Sequence, residues 1–156
     1  MQSETAGGML GLTILKRRGV TFQQRRTLAR RGGRLGTMLG IFPQCELVVL
    51  LTDDQEMTSL NTTYRGRRRT TDVLAFSQLE GPAGSLHPQV LGDIVISVTT
   101  AQRQAKQRRA SVLDEVTELL VHGLLHLLGY DHEGAGRAAA AHMRKKQHEL
   151  VARLIT

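Results

Sequence analysis

Residues 121–133 read Val-His-Gly-Leu-Leu-His-Leu-Leu-Gly-Tyr-Asp-His-Glu, and the rest of the chain is read outward from this stretch. It holds His122, His126 and His132 in an H-x₃-H-x₅-H spacing. Residues four apart on a helix stand one above the other on the same face, so His122 and His126 can approach one ion. Gly129 is placed to end that helix in a left-handed conformation, as glycine does just past many helix ends. Tyr130 and Asp131 can then fold back and carry His132 toward the same ion. Three neutral imidazoles suit zinc, and three protein ligands leave a fourth position for water. Structural zinc sites are mostly closed by four protein ligands, so the pattern points to a reactive centre.

The bland reading of two helical histidines is a pair of hydrogen-bonded core residues. Apart from His122, His126 and Gly123, every position from 121 to 128 is apolar, so each imidazole would need its own buried partner. An unpaired buried polar group costs about 1–3 kcal/mol. One metal ion satisfies both rings at once, and the spacing therefore favours a metal. The helix is not the H-E-x-x-H of zinc proteases, because Gly123 stands where their general-base Glu would be.

Upstream, Ser111-x-x-Asp114 caps this helix, and Leu113, Val116, Leu120, Leu124 and Leu127 recur along it at helical spacing. Downstream, residues 135–154 are rich in Ala, Arg and Lys and form a last helix. The run Leu47-Val48-Val49-Leu50-Leu51 suits a strand buried on both faces. Residues 10–15, 71–76 and 91–97 read as three more strands. Helices are expected from the Thr21-x-x-Gln24 capping box, from Asp53 or Asp54 through Tyr64, and over residues 98–109. The first of these carries Arg25, Arg26, Arg30, Arg31 and Arg34, either a phosphate-binding cluster or a solvated face, and Gly32-Gly33 weakens its middle. Residues 78–89 contain Gly81, Pro82, Gly84 and Pro88 and read as a loop. Strands and helices do not alternate strictly, and no repeat or linker divides the chain. The expectation is one α+β domain over residues 1–156, with about four strands in a mixed sheet packed by helices and residues 1–8 frayed.

Composition narrows the partners. The 156 residues are 40% hydrophobic but only 3% aromatic, so the core must come from Leu, Val, Ile, Ala and Met. Lys and Arg outnumber Asp and Glu by 21 to 14, and the net charge of +7 favours a polyanionic partner over a merely soluble basic surface. So few aromatics argue against broad base stacking, which leaves backbone contacts as the expected mode. A lone cysteine, Cys45, excludes an internal disulfide and fits a reducing cytoplasm. It precedes an apolar run and reads as a small buried hydrophobe. No run approaches the ~20 apolar residues of a membrane span, and the opening residues lack the order of a secretory signal. His87, in the loop, and His142 and His148, on the last helix, read as solvated.

Four blocks occur in order: Asn61-Thr62-Thr63-Tyr64-Arg65-Gly66, Thr71-Asp72-Val73-Leu74-Ala75-Phe76, Leu91-Gly92-Asp93-Ile94-Val95-Ile96-Ser97, and the stretch from His122 to Glu133. Together they resemble the YbeY family of bacterial metal-dependent endoribonucleases, with the likeness running over about residues 46–150. The resemblance implies a zincin-like helix carrying H-G-x-x-H and one Zn²⁺ per chain on His122, His126 and His132. It also implies that Arg65 is needed for activity. The implied role is single-strand-specific RNA cleavage in the cytoplasm, in maturation of the 16S ribosomal RNA 3′ end and in ribosome quality control. Implied partners are ribosomal RNA and the small ribosomal subunit, with ribosomal proteins or assembly GTPases beside them. The chain departs from the family at Ala75, usually Ser, and at Ser77, usually Pro. Arg67, Arg68 and Arg69 also stand where mixed charges and a Pro are common. These departures bear on RNA contact and leave the metal ligands untouched.

Zinc lowers the pKa of bound water far below that of bulk water, to about 7, and polarises phosphoryl oxygens, so hydrolysis of an RNA phosphodiester is the expected reaction. Arg65 would stabilise the charge developing on the phosphorane, a role that comes from the resemblance, since composition alone makes it an ordinary surface arginine. Arg67, Arg68 and Arg69 are candidate RNA contacts. Asp131 and Glu133 are candidates either for proton transfer or for orienting a ligand histidine. Two other classes stay open: a ribosome-assembly factor that binds RNA with a structural zinc, and a zinc-dependent amide hydrolase. The missing Glu and the basic charge count against the latter.

Overall fold

The computed structural model describes residues 2–6, 11–16, 19–41, 43–79, 89–130 and 136–156, with the backbone alone for residues 2–6 and 16. Its strands are β1 (Gln2–Ala6), β2 (Gly11–Lys16), β3 (Glu46–Thr52), β4 (Val73–Ser77) and β5 (Val90–Ser97). Its helices are α1 (Phe22–Met38), α2 (Asp54–Arg65), α3 (Val98–Arg108), α4 (Val112–Leu127) and α5 (Gly136–Ile155). The sheet order is β1-β2-β3-β5-β4. β2, β3 and β5 run parallel, while β1 and β4 are antiparallel to their neighbours. The expected α+β class with a mixed sheet holds. The four anticipated strands are present, and the fifth, β1, is made by residues expected to fray, which pair with β2 from Gln2↔Lys16 to Ala6↔Leu12. Backbone pairing needs no apolar pattern, and so a short polar stretch gives no sign of it.

Side chains alternate across the sheet with the period-2 geometry of strands. Leu12, Ile14, Leu47, Val49, Ile94 and Ile96 feed the main core, which contains Leu28 and Leu35 of α1 and Leu120 and Leu124 of α4. Val95 and Leu74 face the other way and form a smaller cluster with Met57 of α2. Cys45 is buried within the main core, as expected. Each fully buried Leu contributes about 1.5–3 kcal/mol of transfer free energy, so α4, lined with them, is the best-anchored helix for carrying a site.

Local signals set the helix ends. Thr21 and Gln24 form the reciprocal capping box that opens α1. Asp53, rather than Asp54, caps α2 by accepting from Glu56 N at 2.9 Å. Ser111 caps α4 through Asp114 N at 3.0 Å. Within α1, Gly32 does more than weaken a helix. A Cβ on Gly32 would lie 2.4 Å from Leu12 Cδ2, so its bare backbone lets α1 settle on β2.

The arginines of α1 are not one face. Arg25 is buried. Arg31 Nη1 donates to Asp114 Oδ1 at 3.0 Å and to Thr117 Oγ1 at 2.8 Å, fastening α1 to α4. Arg34 donates to the carbonyl of Arg153 on α5. Arg26, Arg30 and Arg34 keep the exposure expected of the whole cluster. The loop over residues 80–88, with His87, lies outside the described residues.

Candidate metal centre

α4 brings His122 and His126 together. Their Nε2 atoms are 3.0 Å apart, and the rings meet edge to face with centroids 4.6 Å apart. Two nitrogens on one tetrahedral zinc, each at ~2.0–2.1 Å, stand about 3.3 Å apart. Convergence of the two Nε2 atoms is within a few tenths of an ångström of that chelate, so the pair fits a shared ion. Both rings are partly buried on a helix otherwise walled by Leu and Val. Helix α4 ends at Leu127, and Gly129 takes φ +92°, the left-handed turn expected of it. His132, Asp131 and Glu133 lie outside the described residues. Among the described residues, no three His, Cys, Asp or Glu side chains converge on one point.

Gly123 explains why the zinc-protease base has no counterpart here. A Cβ on Gly123 would sit 2.9 Å from Ile94 Cγ2 and 3.2 Å from its Cδ1. α4 lies so close on β5 that a glutamate at this position would point into the sheet. No general base can be housed there.

A polar chain that sequence reasoning missed supports His122 from behind. Its Nδ1 is 2.8 Å from Gln147 Oε1 on α5. Gln147 Nε2 donates to Glu118 Oε1 at 3.4 Å. Arg108 Nη1 in turn donates to Glu118 Oε2 at 2.9 Å and to Glu115 Oε2 at 3.2 Å. Burial pushes the Glu115 carboxyl up, against the opposing pull of Arg108. These groups line a recess of about 270 Å³ that begins at His122. One signal was visible in the sequence. Met143, Leu150 and Leu154 form the buried stripe of α5, and Gln147 is the polar residue within it at helical spacing.

Arg65 sits apart from this chain, on the last turn of α2. Its Nη2 donates to Ala75 O of β4 at 3.0 Å, and its guanidinium lies 5.7 Å from the centroid of the Phe76 ring. Tyr64 meets the same ring edge-on at 5.4 Å. The left-handed Gly66 ends α2 and turns the chain into Arg67, Arg68 and Arg69, all exposed. Asn61 Nδ2 bonds Arg69 O at 2.8 Å and so shapes the turn. Arg65, Arg67 and Arg69 then rim an open recess of about 250 Å³. Arg68 is exposed on the same turn without lining it.

Asp54 holds the base of this turn. Its Oδ1 accepts from Ser97 Oγ at 2.6 Å, from Thr100 Oγ1 and from Thr70 Oγ1, and its Oδ2 accepts from Arg103 at 2.7 Å. Burial works to raise its pKa, but the hydrogen bonds outweigh burial and hold the carboxyl well below the usual range. His142 and His148 are exposed, as expected, and His142 stacks on Tyr130 with centroids 5.8 Å apart.

Comparison with known proteins covers the span that holds these residues. A family model described as Endoribonuclease YbeY matches residues 19–155, so the likeness reaches back through α1, well beyond residue 46. The Endoribonuclease YbeY of Syntrophus aciditrophicus is 48% identical over 105 residues, which span 67% of this chain and 66% of that protein. That of Geobacter sulfurreducens is 42% identical over 120 residues, 76% of this chain and 80% of that protein. A solution structure of a Thermotoga maritima protein covers 90% of this chain and 88% of its own, with a TM-score of 0.64 at 26% identity. The site built on α4 and its helical neighbours thus sits inside a shared fold, and the chain belongs to the Endoribonuclease YbeY family.

Proposed function

We propose that this protein is a metal-dependent endoribonuclease that cleaves single-stranded segments of ribosomal RNA. In this reading one zinc ion per chain is held by His122, His126 and His132. The observation that carries it is the convergence of two imidazole Nε2 atoms, 3.0 Å apart, on a rigid helix. A zinc ion held there supplies a water activated near neutral pH and polarises a phosphoryl oxygen. Arg65 uses one of five guanidinium donors on Ala75 O, and the others can meet negative charge developing on the phosphate. Arg67, Arg68 and Arg69 hold neighbouring phosphates along the backbone and fix register without reading bases.

The substrate follows from the charge of +7 and the family. We assign it to the precursor of the 16S ribosomal RNA 3′ end, in the cytoplasm and on the small ribosomal subunit, with ribosomal proteins or assembly GTPases supplying specificity. Asp131 and Glu133 remain in this proposal as orienting or proton-transfer groups near His132. An amide hydrolase is disfavoured because Gly123 packs on Ile94 and leaves no room for the usual base. No helix among the described residues is long and apolar enough to cross a membrane.

The test is cleavage of a structured ribosomal RNA precursor by purified protein, with zinc content measured on wild type, His126→Ala and Arg65→Ala. Wild type should cut with one bound zinc, His126→Ala should lose both properties, and Arg65→Ala should keep the metal without the activity. Slow cutting that is equal in all three samples would overturn the hydrolase reading and leave an RNA-binding assembly factor in its place.

A further inference from the structure

We propose that Gln147 is a positioning residue that fixes the tautomer of His122, with its own amide orientation imposed by the Glu118–Arg108 ion pair. The inference rests on the reading of His122 as a metal ligand.

The polarity runs in one direction along the chain of contacts. Arg108 carries only donors, and its Nη1 lies 2.9 Å from Glu118 Oε2. The Glu118 carboxylate carries only acceptors, so the Gln147 atom facing it at 3.4 Å must be the amide nitrogen. A flipped amide would set a carbonyl against a carboxylate at Glu118 and two donors against His122. With the nitrogen committed to Glu118, the Gln147 oxygen faces His122 Nδ1 at 2.8 Å, and that nitrogen must bear the hydrogen. The Nε2 lone pair is thereby left on the edge that faces His126. A ligand imidazole whose far nitrogen donates to a fixed oxygen is both oriented and made more basic. Ring orientation and tautomer are thus decided by a residue on another helix, 25 positions away.

Separate readouts are needed for the tautomer and for the metal. Long-range ¹H–¹⁵N spectra of zinc-free protein report which ring nitrogen of His122 carries hydrogen, and competition with a chromophoric chelator reports zinc affinity. Gln147→Met keeps the length of the side chain and removes the acceptor. The double variant Glu118→Gln/Gln147→Glu keeps an acceptor toward Nδ1–H and keeps one donor between positions 118 and 147, with its direction reversed. Wild type should show Nδ1–H at His122. Gln147→Met should lose that preference and bind zinc about 10–100-fold more weakly, while the double variant Glu118→Gln/Gln147→Glu should stay close to wild type in both measurements. Wild-type tautomer and affinity in Gln147→Met would overturn the proposal. So would equal losses in Gln147→Met and in the double variant, which would mark a packing role. If Gln147→Met fails to fold, Glu118→Gln reads the same chain: Arg108 holds the oxygen of the new amide, its nitrogen then faces Gln147, Gln147 flips, and His122 should shift toward the Nε2–H tautomer. An unchanged single tautomer there would refute the relay. If wild type itself takes up no zinc, the metal reading fails, and the tautomer comparison still decides the role of Gln147.

Discussion

Replacing Gly123 by Ala tests how closely α4 is seated on the sheet. The added Cβ would meet Ile94 Cγ2 at 2.9 Å, Cδ1 at 3.2 Å and Cγ1 at 3.3 Å, three atoms on the two branches of a fully buried side chain. Overpacking of this kind costs about 1–3 kcal/mol. Against it stands the helix propensity of Ala over Gly, worth up to about 1 kcal/mol. Gly123→Ala should therefore destabilise by roughly 0–2 kcal/mol, the reverse of what an exposed helical glycine would show. The decisive arm is Ile94→Ala, which removes all three opposing atoms at its own cost of about 2–5 kcal/mol. In that background Gly123→Ala should turn neutral or stabilising, for a coupling of about 1–3 kcal/mol between the two sites. Urea denaturation of the four proteins, with the slope checked for constancy, gives the cycle. A coupling below about 0.5 kcal/mol, or a stabilising Gly123→Ala in the wild-type background, would refute the close seating of α4 on β5 and the steric exclusion of a base at that position.

Two further outcomes follow from polar contacts outside the metal centre. Because hydrogen bonds depress the Asp54 pKa in the folded state, its stabilisation is fully present above the ordinary value of 3.8 and is lost as pH falls below it toward the folded-state value. Asp54→Asn should cost about 1–3 kcal/mol at pH 7 and flatten the acid limb of a stability–pH curve measured by thermal unfolding; an acid limb as steep as wild type would count against the assignment. Arg31→Met breaks the α1–α4 tie to Asp114 and Thr117, and should destabilise by about 1–3 kcal/mol with only a modest change in salt dependence, since Arg31 is mostly buried and Asp114 half-buried. A loss that vanishes in high salt would instead mark a surface pair.

Local rules carried much of this structure. The capping box at Thr21, the Ser111 cap, the apolar run before Thr52 and the left-handed Gly129 are each decided within a few residues, and each appears where its pattern stood. The misread segments are those whose role depends on distant partners. Arg25, Arg31 and Arg34 look alike in sequence, yet one is buried, one fastens α1 to α4 and one reaches the end of α5. Composition cannot separate them, because helix phase relative to the sheet decides which arginine meets a carboxylate. Residues 2–6 likewise became a strand only because β2 offered an edge to pair with.

The candidate centre divides in the same way. Sequence alone determined the pair His122 and His126, because four residues on a helix place two side chains on one face whatever the rest of the molecule does. It also determined the fold class and the family, through periodicity and ordered blocks. Only tertiary structure decided that Gly123 is a contact with Ile94 rather than a missing base, that Arg65 leans on Ala75 of β4, and that Gln147 stands behind His122. Those facts depend on which faces of α2, α4 and α5 meet the sheet and each other. That choice is made by burial of the whole set of apolar stripes at once, and no single stretch of the chain contains it.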